Sequence, residues 1–150
     1  MTVSRTLKSW VHSMGLDVKL TLNIDTEKLK GNAAKAQYWL DSQVMTDMMP
    51  LMPMDTGSFI NATLAQSQAL AGSGMVIAGI GPQGRFLYEG LVMIDPETGS
   101  PFARPGAKKV VTDRPLTYSR PGAVAHWFEE AKQMHLTDWV KGVAKFYGGK

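Results

Sequence analysis

PMDTGSFINATLAQSQALAGSGMVIAGIGPQGRFLYEG, residues 53–90, is the stretch whose reading decides the fold. Helical patterns flank it on both sides, so its own period settles whether a sheet lies between them. Pro53 to Ser58 reads as a turn. Asp55 can accept hydrogen bonds from backbone N–H groups just ahead, Thr56 follows it, and Gly57 allows a positive φ. Ile60, Ala62 and Leu64 then fall on alternate positions, which predicts a strand over Phe59–Leu70. Ala71-Gly72-Ser73-Gly74 reads as a hairpin connection, Met75–Ile80 as a second strand, and Gly81-Pro82-Gln83-Gly84 as another turn. A third strand is expected over Arg85–Ile94, with Gly90 the last of the turn-type glycines.

Upstream, Leu16, Val18, Leu20, Leu22 and Ile24 alternate with polar residues, the signature of a half-buried strand. Asp25 or Thr26 can cap a helix over Thr26–Met49, with Glu27 in its first turn. Leu29, Ala33, Ala36, Leu40, Val44 and Met48 give that helix one apolar stripe, and Pro50 and Pro53 stop it. Residues 1–15 read as a flexible arm ahead of a single domain over 16–150, with Trp10 on the arm as a candidate anchor. Downstream, Asp95-Pro-Glu-Thr-Gly-Ser-Pro101 opens a long excursion over 95–122 that holds a short strand near Lys108–Thr112. A second long helix is expected over Ala123–Phe146, broken near Leu136-Thr137-Asp138, where Thr137 could recap it. The order β-α-β-β-β-(β)-α implies an α+β domain: an antiparallel sheet of about four to five strands with two long helices packed on it.

Composition narrows the function classes. Hydrophobic residues make up 44% of the 150 and charged residues 19%, which suits a globular core rather than a disordered chain. The net charge of +3 is spread along the chain, so no specific nucleic-acid binding is expected. There is no cysteine, which removes disulfides, thiolate metal sites and a cysteine nucleophile. No apolar run approaches the roughly 18–20 residues of a membrane helix, and the N-terminus lacks the continuous apolar core of a secretion signal. Among ten methionines, Met45, Met48, Met49, Met52 and Met54 crowd together, as either the end of a core helix or an adaptable contact surface.

Three motifs suggest chemistry, and each has a plainer explanation. Asp55-Thr56-Gly57 matches the signature of dimeric aspartic proteases, in which two carboxylates share a proton. Here it follows a helix and fits a turn, so a homodimeric hydrolase using Asp55 is only a distant alternative. Gly79-Ile-Gly81-Pro-Gln-Gly84 matches G-x-G-x-x-G, which holds a pyrophosphate only when a helix opens at the glycines. Phe86-Leu87-Tyr88 reads as strand instead, so no nucleotide or other cofactor is expected. His126 and His135 are nine apart and do not share the face of an i, i+4 metal pair. His126 beside Trp127 reads as a packing or capping residue, and Glu129 and Glu130 as a solvated face. No catalytic set assembles, and the expectation is a protein that is not an enzyme.

The residues that stand out for contact are Trp10, Met52 and Met54, with Arg104, Lys108, Lys109, Arg114, Tyr118 and Arg120 on the excursion. A basic loop suits either the acidic surface of a partner subunit or simply a solvated, soluble surface.

Pro-Met-Asp-Thr-Gly-Ser-Phe-Ile-Asn-Ala-Thr (53–63), followed after a glycine hairpin by Phe-Leu-Tyr-Glu-Gly (86–90), resembles the tail-component family of long-tailed bacteriophages. Members carry a Pro-x-Asp-Thr-Gly-x-Leu stretch and then a Tyr-x-x-Gly strand end; Phe59 stands where an aliphatic residue is commoner. Residues 92–99, 108–119 and 126–132 are similar to the phage minor capsid protein group of phages with Gram-positive hosts. The resemblance covers roughly residues 16 to 148. It implies an α+β structural protein of the virion, made in the host bacterial cytoplasm and placed at the head–tail neck. The implied role is tail completion: a homo-oligomeric ring of six subunits joining the tail terminator to the head-closure (stopper) protein, with the tail tube nearby. A terminator or head-closure ring is the alternative within the same assembly.

Overall fold

Asp25 caps the first long helix as its position suggests. In the computed structural model, which describes residues 2–7 and 20–148, its extended backbone leads into α1 (Thr26–Met48). Its carboxylate accepts the Lys28 N–H at 3.0 Å. Pro50 ends the helix in a 3₁₀ turn over Met49–Leu51. Of the apolar stripe Ala36, Val44 and Met48 are buried, with Met45 beside them, whereas Leu29 is exposed.

The last helix, α4 (Trp127–Lys145), runs antiparallel to α1. Trp39 of α1 meets Gly142 of α4 and Phe146 just beyond its end, while Asp47 accepts the indole N–H of Trp139 at 2.7 Å. A Cβ at Gly142 would sit 1.9 Å from the Trp39 ring, so only glycine lets the indole cross there. The expected break at Leu136-Thr137-Asp138 is absent. Trp127, Ala131, Trp139 and Gly142 are all buried on one face at helical spacing, and that continuous stripe outweighs the local recapping signal of Thr137.

Between these helices the decisive stretch is helical where strands were expected. Residues Ser58–Ala69 form α2. Its buried face is Ile60, Thr63 and Ser67, at helical spacing. Two of those three are small and polar, so the buried face is nearly invisible to an apolar-period reading, and the alternation of Ile60, Ala62 and Leu64 is coincidental. Ala62, Leu64, Ala65, Gln66, Gln68 and Ala69 are good helix formers. Met75–Ile80 is irregular rather than a strand, and side chains serve its backbone. Ser67 Oγ accepts the Ile77 N–H at 2.9 Å, and the Ala78 carbonyl accepts the Trp127 indole N–H at 2.9 Å.

The expected strand over Arg85–Ile94 divides into α3 (Gly81–Glu89) and β3 (Leu91–Ile94). Pro82 lies in the first turn of α3 and Gly90 ends it with φ 69°, the proline-in, glycine-out order that terminates helices. β3 pairs antiparallel with β4 (Val110–Pro115), displaced from the expected Lys108–Thr112 and with an irregular register near Leu91–Met93.

The expected single sheet of four to five strands is also not observed. The described residues hold two separate two-stranded antiparallel ribbons. β1 (Thr2–Leu7) pairs along its length with β2 (Leu20–Asp25), from Thr2 opposite Asp25 to Leu7 opposite Leu20. The expected strand over Leu16–Ile24 is thus seen from Leu20 onward, and the arm over 1–15 contains β1. Residues 8–19, with Trp10, lie outside the described residues. The architecture remains α+β.

The core joins the ends of the two long helices. Met45, Met48 and Met52 are buried together with Val44, Ile60, Trp127, Ala131 and Trp139. Each fully buried methionine contributes about 1.5–3 kcal/mol of burial free energy. Most of the methionine cluster is therefore helix-end core.

Candidate functional site

Polar side chains fasten the chain segments that shape the surface. Asp41, only 5% exposed on α1, accepts the N–H groups of Gly72 and Gly74 at 2.8 and 3.0 Å, and Gln37 Nε2 donates to it at 2.7 Å. It thereby pins the turn after α2 onto α1. The strap over 116–126 holds the opposite side. Leu116 N–H donates to the Gly90 carbonyl at 2.8 Å, and the Tyr118 hydroxyl donates to the Leu87 carbonyl. Arg120 Nη1 donates to the carbonyls of Met49 and Met52 at 2.8 and 3.3 Å. Val124 N–H reaches the Leu51 carbonyl at 3.0 Å, and His126 N–H reaches that of Tyr88 at 2.8 Å. Gly90 is required at this junction, because a Cβ would lie 2.6 Å from that of Ala125 and 3.1 Å from the Tyr118 hydroxyl.

The strap, the Pro53–Ser58 turn, α3 and β3 line an open groove of about 520 Å³. It brings together several residues singled out from sequence: Met54, Asp55, Thr56, Gly57, Lys109 and Tyr118. Phe59, Phe86, Leu87 and Leu116 supply much of its apolar lining. Among the described residues Asp55 is its single carboxylate, and no histidine lines it. A proton-sharing dyad would need a second carboxylate from elsewhere. In the turn itself Thr56 takes the part expected of Asp55: its Oγ1 accepts the Ser58 N–H at 3.5 Å and lies 2.9 Å from the Ser58 hydroxyl. Gly57 stands in the left-handed region as the residue before α2.

A helix does open at the glycines of Gly79-Ile-Gly81-Pro-Gln-Gly84, contrary to the strand expected there. The motif is nevertheless spent on packing. A Cβ at Gly84 would stand 2.9 Å from the Gly79 carbonyl carbon, and the chain ahead of the helix is not a strand of a βαβ unit.

The excursion over 95–122 is built around a clamp. Asp95 is fully buried. It accepts Arg104 Nε at 2.8 Å, Arg104 Nη2 at 3.2 Å, and the N–H groups of Glu97 and Arg104 at 2.9 and 3.2 Å. The Arg104 guanidinium, followed by the Glu97 N–H, holds the Asp95 carboxyl well below the usual carboxylate range. Asp95 and then Glu97 push the Arg104 guanidinium up in turn. Beside the clamp, Phe102 is 86% exposed, and Val110 and Val111 are exposed on β4.

A second cluster joins α3 to the start of α4. The Tyr88 hydroxyl donates to Glu129, and its ring stands edge-on to His126 and Trp127 at 5.2 and 4.8 Å. Burial, then the hydrogen bond to Glu129, raises the Tyr88 hydroxyl, while that bond lowers Glu129. Burial likewise raises the Tyr118 hydroxyl. His126 packs as expected, with a left-handed backbone ahead of α4 and Nε2 3.8 Å from Glu89. Glu129 is thus engaged with Tyr88 rather than simply solvated.

Of the cations expected on the excursion, Arg104 and Arg120 are turned to internal partners. Lys109 lies 5.6 Å over the Phe86 ring, and Lys108 and Arg114 are exposed. Met52 is a core residue. Sequence reading missed Asp41 and Asp47 as anchors, because the segments they tie down lie 31 or more residues away. The Asp-Pro-Glu-Thr-Gly turn signal did mark Asp95, though not its partner.

Among the described residues no group of His, Asp or Glu is arranged to hold a metal ion, and no helix is long and apolar enough to cross a membrane. No family model, curated protein or solved structure matches this chain.

Proposed function

We propose that this chain is a non-enzymatic structural subunit of the phage head–tail neck, acting in tail completion as one member of a homo-oligomeric ring. The observation that carries the proposal is the clamped excursion. An ion pair between buried Asp95 and Arg104 holds a loop whose Phe102 is 86% exposed, and the loop continues into a strand with exposed Val110 and Val111. A preorganised loop that presents an aromatic side chain supports contact with another protein, because its ordering cost is already met. The outer side of α4 adds Leu136, Val140 and, just beyond its end, Tyr147, all exposed. Ring subunits meet head to tail through two different faces, so two separated apolar surfaces suit such an assembly.

The tail terminator and the head-closure protein are the partners this role requires. The test is light scattering across concentration, negative-stain imaging, and addition of isolated phage tail tubes. Closed rings, or capping of the tubes, are expected. A protein that stays monomeric and never caps a tube would overturn the proposal. Asp55→Asn is expected to leave capping intact, since Thr56 rather than Asp55 makes the turn's hydrogen bonds. A peptidase activity abolished by that substitution would replace the structural role with a hydrolase.

A further inference from the structure

β4 is a strand with one side in use. A two-stranded ribbon is marginal in water by itself, and an apolar edge strand is a template for further pairing. Along one side β4 pairs with β3, and among the described residues its other side meets no strand. Every residue of β4 except Thr112 is exposed. Among the described residues the side chains of Lys108, Asp113 and Arg114 have no hydrogen-bond or ion-pair partner, and the Lys109 ammonium lies over the Phe86 ring. The run thus carries two lysines ahead of two exposed valines and an unpaired carboxylate behind them.

We propose that two copies of this chain pair through β4, antiparallel and edge to edge, across a two-fold axis at Val111. Symmetry limits the registers. Residues directly opposite in a ladder point to the same face, and side chains alternate faces along each strand. A two-fold axis normal to the sheet keeps every residue on its own face, so it must set one residue opposite its own copy. With Val111 on the axis, Val110 faces Thr112 twice and Lys109 faces Asp113 twice. Thr112 on the axis would set Val111 against Asp113, and Val110 on the axis would set it against Lys109. Asp113 on the axis would meet its own copy. Only Val111 places apolar against apolar and opposite charges across the ladder, and both favour pairing. Lys108 then faces Arg114 at the two outer ends, where both side chains are exposed to water. The pair holds one four-stranded antiparallel sheet in the order β3-β4-β4-β3. Such an isologous contact closes on itself. It goes beyond the head-to-tail joints of the neck reading and does not rest on them.

The chain has no cysteine, so an introduced thiol reports on this contact without background. Residues directly opposite on antiparallel strands have the Cα separation a disulfide needs. Val111→Cys chains under mild oxidation are therefore expected to give a covalent dimer and nothing larger. Val110→Cys is the control. Val110 and Val111 are 44% and 49% exposed, so chance collision treats them alike. In the proposed register the two copies of position 110 are diagonal neighbours, roughly 7–8 Å apart, and should cross-link about tenfold more slowly. The charge pairs give a second test. Adding Lys109→Asp or Asp113→Lys to the Val111→Cys chain sets like charges across the ladder, and each is expected to slow the cross-link about fivefold. Mixing those two chains restores opposite charges at both places and should return the rate as a mixed dimer.

No covalent dimer from Val111→Cys, equal cross-linking by Val110→Cys, or a mixture no faster than its two components overturns the pairing. Rings or capped tubes without the Val111→Cys cross-link would sink the strand pairing and leave the neck role standing. A Val111→Cys dimer that obeys the charge exchange, in a protein that never caps a tube, would do the reverse.

Discussion

Two buried carboxylates hold two loops, and they differ in what each loop is tied to. Asp41 stands on the longest helix and accepts N–H groups from residues 31 and 33 positions away, so it joins α1 to the end of α2. Asp95 binds within nine residues of itself and ties the excursion to its own far side. Asp41 is served by backbone amides and Gln37, whereas Asp95 is matched by a guanidinium. A long-range polar anchor belongs to the cooperative unit, while a short-range clamp shapes a local segment that can open by itself.

Substitution separates the two. Asp41→Ala leaves two backbone N–H groups without their acceptor and is expected to cost about 3 kcal/mol of global stability, read from urea denaturation. Asp41→Asn keeps one acceptor oxygen and is expected to cost about 1 kcal/mol. An unchanged midpoint in Asp41→Ala would mean the turn is not part of the cooperative core. Asp95→Asn is expected to leave the global transition nearly in place. It should speed protease cleavage near Phe102 and amide exchange at Glu97 and Gly99.

Acid sharpens the contrast. The Asp95 carboxyl titrates below its unfolded value, so its contribution is fully present above the ordinary carboxylate pKa of about 3.9 and is lost as pH falls through the lower folded value. The loop is therefore expected to resist protease at pH values where ordinary carboxylates are already protonated. Opening of the loop together with ordinary carboxylate titration would contradict the clamp.

Thr63 is the counter-example to both carboxylates. It is fully buried, and among the described residues its hydroxyl has no hydrogen-bond partner. Thr63→Val keeps the shape and removes the unserved group, so a gain of about 1 kcal/mol is expected in the same denaturation experiment. A loss would reveal a hydrogen bond made by that hydroxyl. The smallest effect on stability is expected from Phe102→Ser, within about 0.5 kcal/mol, because the ring touches water. Its expected consequence lies in assembly: weaker ring formation or tube capping by light scattering and imaging.

The two long helices were legible because their signals are local. Asp25 caps α1, Pro50 ends it, and the tryptophans and alanine of α4 repeat at helical spacing. The glycine junction at 81–90 was also written in the residues, in the order proline then glycine, and was misread as strand because Phe86-Leu87-Tyr88 suits either state. Residues 59–70 were illegible for a different reason. Thr63 and Ser67 are buried by what packs over them, and nothing in their own chemistry announces it. For the groove, the Pro53–Ser58 turn was visible as a turn, but its meeting with Tyr118 and Lys109 was not.

By itself, then, the sequence determined the caps, the proline and glycine stops, the two amphipathic helices and the absence of any thiol chemistry. Each depends on residues a few positions apart, whose interactions do not need the rest of the chain. Only the tertiary structure decided that residues 58–69 are a helix, that Asp41 and Asp95 are anchors, that Arg104 and Arg120 are engaged within the chain, and that Phe102 and β4 face out. Those outcomes follow from which surfaces meet once the helices pack, and burial is a property of the meeting rather than of any residue alone.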